Sequence, residues 1–376
     1  MVRFPKAEIA FSSAVLLLIA FLILTHSVAL AADPPTDISY EALYDKVSRL
    51  ISLHKENEAI KTLNAIIKIA PNDSQEKRAP QGSYPLRAYA LLGDLYYKQD
   101  QLPEAIFAWN KILEKEPTNA KIQALLEKAQ REQKTHTTFT HESTRHFTIK
   151  FEGAENRGLY KFVLDTLETA YGEVGRALLF YPTEEVIVFL YTGQEFFDVT
   201  RAPSWSGGVF DGKMRIPTKG FETQTDPLRR ILFHEYVHAV IQQMTDRGVA
   251  KTGETMNSSV PVWLHEGVAQ YFEPFGSKNE GRGMLKALVQ QKGKEGIIPL
   301  SQLQGSFMGI NDPLTVRLAY EESLSAVQFL VGRFGIWRLK MLLEDLAVKQ
   351  DIEEAMQSAL LISYKEFESR WLEGLE

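Results

Sequence analysis

The run from Asp226 to Thr245 contains His234-Glu235-Tyr236-Val237-His238, two imidazoles four residues apart with a carboxylate directly after the first. Asp226-Pro227 supplies an N-cap followed by proline at the first helical position, and Asp246-Arg247-Gly248 supplies a stop. A helix is therefore predicted, and on a helix the four-residue spacing puts both rings on one face. The other positions (Leu228, Ile231, Leu232, Phe233, Val237, Val240, Ile241, Met244) are apolar around several faces, so most of this helix is expected inside a core. Two histidines and a glutamate in such a place need partners, because an unpaired buried polar group is costly. One Zn²⁺ held by His234 and His238, with Glu235 beside it as a base, satisfies all three. Hydrogen bonds from the two rings to nearby backbone are the plainer alternative.

A third ligand has to come from another segment, and Pro261-Val262-Trp263-Leu264-His265-Glu266-Gly267-Val268-Ala269-Gln270-Tyr271-Phe272-Glu273 is the candidate. Pro261 suits a helix start, Pro274 and Gly276 suit its end, and the small Gly267 and Ala269 suit close approach to the first helix. His265 and Glu266 compete for the ligand position, since neighbours on a helix point about 100° apart. Gln270 and Glu273 are both placed to support a ligand from behind, and their spacing does not rank them.

Trp-Leu-x-Glu-Gly-x-Ala after His-Glu-x-x-His resembles the gluzincin peptidases, the clan that contains thermolysin and zinc aminopeptidases. The resemblance runs from about Thr135 to Glu376 and implies an α+β fold, a thermolysin-like zincin domain with a small mixed sheet plus helices. It implies that Glu266, 28 positions after His238, is the third ligand of one Zn²⁺ per chain. It also implies that peptide bonds are the target, split by a metal-activated water with Glu235 as general base. Ala319-Tyr320-Glu321-Glu322-Ser323-Leu324-Ser325-Ala326-Val327 resembles the segment in which a tyrosine hydrogen-bonds the tetrahedral intermediate, so Tyr320 is the implied oxyanion donor. The Gly-Ala-Met-Glu-Asn type motif of the aminopeptidases is missing, which points away from exopeptidase action. Ile352–Ala359, Tyr364, Phe367, Trp371 and Leu372 look like the closing helices of bacterial families with the same two motifs.

Upstream of the metal motifs, His146–Phe151 alternates as a strand, Glu155–Leu179 reads as a helix and Glu185–Tyr191 as a buried strand. Gly207–Pro217 follows, where Asp211-Gly212 between β-type residues signals a hairpin with a two-residue loop and Pro217 suits an exposed edge. In gluzincins such a strand forms the lip of the cleft, where an extended peptide can add by main-chain hydrogen bonds.

The N-terminal third reads differently. A 34-residue unit starting at Leu86 has Leu92, Gly93, Tyr96, Ala105, Trp109 and Pro117 where the tetratricopeptide pattern wants large, small, large, small, large and Pro. The same template set at Tyr40 finds Leu43, Ala59, Leu63 and Pro71, with Val47 in place of a small residue. A polar insert, Ser74–Pro85, separates the two, and Ala120–Lys134 reads as a capping helix. Residues 36–134 are thus expected to form an all-α tetratricopeptide-repeat domain ahead of an enzyme domain at 135–376. Such repeats imply a concave face for a protein partner; packing of the short array on the enzyme is the alternative.

Residues 1–31 have the layout of a signal peptide: Arg3 and Lys6, the apolar Ala14–Leu24, then Ala29-Leu30-Ala31. Export is expected, with a membrane anchor as the outcome if the segment stays uncleaved. The absence of cysteine excludes disulfides, an N-terminal lipid-bearing cysteine and a thiolate metal site, and it points to a bacterial periplasm or cell envelope. A net charge of −6 and the lack of any long basic stretch argue against nucleic acid as a partner. Two other functions fit the same residues: a non-catalytic repeat scaffold with a retained metal fold, and a zinc hydrolase on a non-peptide envelope substrate. The intact Glu235 argues against the first, since a structural zinc needs no base.

Overall fold

A computed structural model describes residues 40–69, 84–152, 157–203, 205–218, 225–245, 260–274 and 280–375. The signal-peptide segment, Pro71, residues 74–83 of the expected insert and the Gly248 and Gly276 stop signals lie outside them, while the last two residues of that insert, Tyr84 and Pro85, open a helix. Residues up to Leu43 form one unit, described only over Tyr40–Leu43, and Tyr44–Glu376 form another. Among the described residues no helix is long and apolar enough to cross a membrane.

The fold is α+β, with helices first. Five helices come first, α1 (Tyr40–Ser52), α2 (Glu56–Ile69), α3 (Tyr84–Lys98), α4 (Leu102–Leu113) and α5 (Ala120–Thr135), with α3 packed against both α2 and α4. Gly93 shows why the repeat wants a small residue: a Cβ there would lie 2.2 Å from Trp109 Nε1, and Trp109 is fully buried between α3 and α4. Asn119 caps α5 by accepting from the Ile122 N–H.

A five-stranded mixed sheet comes next: β1 (Phe139–Ser143), β2 (Phe147–Glu152), β3 (Val186–Tyr191), β4 (Val209–Phe210) and β5 (Met214–Pro217), in the order β1-β2-β3-β5-β4. β2, β3 and β5 run parallel, and the two outer strands are antiparallel to their neighbours. The hairpin differs in two respects from expectation. Phe210 pairs with Met214, so its loop holds three residues, with Gly212 at φ +92°. The edge strand is β4, while β5, which carries Pro217, lies between β4 and β3.

Strand alternation divides the sheet into two faces. Phe147, Ile149, Val188, Leu190, Met214 and Ile216 pack on α6 (Arg157–Leu178) and on α8 (Thr225–Thr245), in the main core. From Leu232 onward the metal-motif helix is therefore largely buried, as its apolar positions predict, while residues 225–227 and Arg230 are exposed. α9 (Val262–Phe272), α10 (Glu280–Lys292), α11 (Pro313–Phe334), α12 (Ile336–Lys349), α13 (Ile352–Leu360) and α14 (Tyr364–Glu373) complete that core. The opposite face carries Phe189 and Tyr191, which pack with Phe196 and Val199 of α7 (Gly193–Thr200).

That second face also carries Lys213 and Arg215, both 0% exposed, and the repeat helices supply their counter-ions. Lys213 Nζ lies 2.7 Å from Asp100 Oδ1 and 3.1 Å from Glu132 Oε2. Arg215 Nη2 lies 2.8 Å from Glu132 Oε1 and donates to the Tyr97 hydroxyl at 2.9 Å, and its Nη1 pairs with Asp211. Lys150 pairs with Asp100, and Lys128 of α5 with Asp211. His136 stacks on Phe189 at 4.1 Å beside this group, and burial pushes its pKa down to about 4, so it stays neutral there. A second ionic contact joins Lys98 Nζ to Glu184 Oε2 at 2.6 Å, just before β3.

Candidate metal centre

Helix α8 presents His234 and His238 with ring centroids 4.7 Å apart and planes at 87°. Helix α9 brings Glu266 between them: its Oε2 is 3.1 Å from His234 Nε2 and 3.5 Å from His238 Nε2. Among the described residues these three form a group able to hold one ion, their ligand atoms all within 4.8 Å of one another. Gly267 helps to place Glu266, but the close approach it permits is to α11 and not to α8. A Cβ at Gly267 would lie 2.3 Å from the Ser323 carbonyl oxygen.

The charge pattern favours a cation. His234 Nδ1 is 2.8 Å from Glu273 Oε1, so a neutral ring that donates Nδ1–H to Glu273 turns a lone pair at Nε2 toward the Glu266 carboxylate. Two acceptors face each other at that point, and a proton or a metal ion has to lie between them. Burial opposes charge on His234, yet its hydrogen bonds to Glu266 and Glu273 raise its pKa well above the usual value. Burial likewise opposes ionisation of Glu266, but His238 and His234 hold it well below the carboxylate range. Two imidazole nitrogens and one carboxylate oxygen are the donor set of an open zinc site.

His265 does not join this group. Its ring stacks on His238 at 4.4 Å and 14°, and burial pushes its pKa down to about 3, leaving a neutral wall behind the second ligand. The supporting residue is Glu273, and the Gln270 side-chain oxygen is buried without a hydrogen bond among the described residues. Sequence spacing does not separate the two, since Gln270 four positions and Glu273 seven positions after Glu266 both return to its face.

Glu235 is 6% exposed and lies beneath the backbone of Gly208, where an added Cβ would stand 2.7 Å from its Oε1. Burial raises its pKa, against the pull of His238 and His234. His234, Glu235, Glu273 and Tyr320 line one cleft of about 740 Å³ with Trp205–Gly208, the segment entering β4. Tyr320 is wedged between Trp205, at 6.2 Å, and Phe307, at 5.4 Å. Burial, with the negative charges of Glu266, Glu235 and Glu273, pushes its pKa upward, so the phenol remains a proton donor.

No curated protein matches the chain. A tetratricopeptide-repeat family matches residues 86–119, the unit containing Gly93 and Trp109. Over residues 180–375, the span that carries the helices around this centre, the matching family is the Peptidase MA superfamily, to which the chain belongs.

Proposed function

We propose that this protein is an exported zinc-dependent metallopeptidase. The observation that carries the reading is the convergence of His234, His238 and Glu266 on one point, beside a buried carboxylate, at the wall of an open cleft. Zn²⁺ held by these three residues supplies the means to acidify a water molecule and to polarise a carbonyl. Glu235 accepts the proton of the attacking water and passes it to the leaving amine, a role suited to a carboxylate whose pKa burial has raised. The Tyr320 hydroxyl donates to the oxygen on which charge develops. The edge strand β4 begins at the same cleft, so an extended substrate can pair with it and bring its scissile carbonyl over Glu235. The repeats offer a face for a protein partner or for the substrate, and the N-terminal 31 residues direct export.

Metal analysis with cleavage of a mixed peptide library tests this. The purified protein should hold one zinc per chain, and His234→Ala, His238→Ala or Glu266→Ala should lower that content. Glu235→Gln should keep the metal and lose roughly 100-fold to 10,000-fold in kcat. Cleavage by Glu235→Gln at the wild-type rate sinks the mechanism, and zinc lost in His265→Ala but kept in Glu266→Ala sinks the ligand assignment.

A further inference from the structure

The cleft has a charge feature that the hydrolytic machinery leaves unused. Helices α8 and α11 each place an arginine in its lining, one turn before a residue of the centre: Arg230 four positions before His234, and Arg317 three positions before Tyr320. Arg230 Nε lies 3.5 Å from Glu273 Oε2, the carboxylate that also holds His234, so its charge is partly matched. Among the described residues Arg317 makes no hydrogen bond, ion pair or ring contact. The nearest acid before it on its own helix, Asp312, is committed to capping that helix through the Thr315 N–H at 2.9 Å. Glu235 lies buried beneath Gly208, and the wall around the two arginines is apolar, built from Ile231, Val316 and Trp205.

A guanidinium without a counter-ion, held on a helix over an apolar wall, matches a carboxylate in shape and charge, because its paired N–H groups fit the two oxygens. We propose that Arg317, aided by Arg230, binds a substrate carboxylate, so that the cleft selects peptides with an Asp or Glu side chain or a free C-terminus near the scissile bond. This rests on the peptidase reading above and adds to it the class of substrate.

The test uses the full chain loaded with zinc and a set of peptides in which a single Glu, or Gln in its place, is moved along one sequence. Each peptide is made with a free and an amidated C-terminus. The best Glu peptide should exceed its Gln partner in kcat/KM by about tenfold or more, mainly through KM. In Arg317→Gln that ratio should fall to near one, and Arg317→Glu should favour a Lys peptide instead. A preference that amidation removes identifies the terminal carboxylate, and one that persists identifies the side chain. Binding of the same peptides to Glu235→Gln, read by fluorescence anisotropy, is independent of turnover. Equal affinity for all Glu and Gln peptides, free and amidated, overturns the carboxylate site, as does a preference unchanged in Arg317→Gln. Discrimination in binding, without cleavage of any peptide by the wild type, keeps the site and overturns the peptidase reading.

Discussion

At Gly208 the requirement for glycine comes from a neighbour and not from a turn, because any side chain there collides with the Glu235 carboxylate. Gly208→Ala should therefore push the base out of place while His234, His238 and Glu266 stay together. The expected result is a loss of kcat with zinc content unchanged; loss of zinc in step with activity would show that the collision is relieved through the metal ligands. Glu322 is another residue at odds with its surroundings. It is fully buried in α11, where one oxygen accepts the Ile298 N–H at 3.0 Å and the other has no hydrogen bond among the described residues. Burial raises its pKa to about 8. A raised carboxyl contributes stability that is complete below its unfolded value of about 4.3 and is lost as pH rises through the folded value. Thermal midpoints of the wild type should thus fall between pH 5 and pH 8.5 relative to those of Glu322→Gln, and parallel profiles would refute the assignment. Neither position is legible in the sequence, because both depend on what a distant segment places against them. The two imidazoles that meet Glu266 are legible as a pair, because a four-residue spacing on a helix puts both rings on one face without coordinates, whereas spacing alone leaves Glu266 level with its neighbour His265.

Among the elements, α8 could be read almost to its ends from Asp226-Pro227 and its many apolar positions, although it starts at Thr225, so that Asp226 lies in its first turn and does not cap it. The hairpin could not. Lys213 and Arg215 look like ordinary surface charges on alternate positions of a strand, yet both are fully buried, because the residues that neutralise them, Asp100 and Glu132, lie 113 and 83 positions earlier. Pattern reading carries no information about partners that far away. The consequence is energetic: Glu132→Ala leaves two buried cations without their shared counter-ion, a change that costs about 3–5 kcal/mol. Chemical denaturation should show that loss, and one below about 1 kcal/mol would mean that water enters and replaces the carboxylate. The same network fixes an acid limit. Burial raises the pKa of Asp211, but Arg215 and Lys128 outweigh it and hold the group at about 2. A depressed carboxylate stabilises above its unfolded value, near 3.9, and that stability disappears as pH falls toward 2. Acid unfolding in this window should weaken in Lys128→Met, whose Asp211 has lost one of its cations.

Across the whole molecule, the repeats and the cleft are joined through the sheet. Tyr97, Asp100, Lys128 and Glu132 of the helical region hold the β4–β5 hairpin from behind, and the front of that hairpin is the lip that carries Gly208 over Glu235. Lys98 and Glu184 fasten the same helices to the start of β3. A helical array with one matched repeat is short for independent stability, and here it packs against the sheet through these ion pairs. Removal of residues 1–134 takes away both carboxylates that pair with Lys213 among the described residues, Asp100 and Glu132, and leaves the lip without its support. A chain that starts at Thr135 should therefore be insoluble, or should fold with a loosened hairpin and raise KM for extended peptides far more than it changes zinc affinity. Hydrogen exchange at Val209–Pro217 is the direct measurement, with faster exchange expected than in the full chain. Protection equal to that of the full chain, together with undiminished cleavage, would show instead that the enzyme stands alone and that the repeats serve only to recruit a partner.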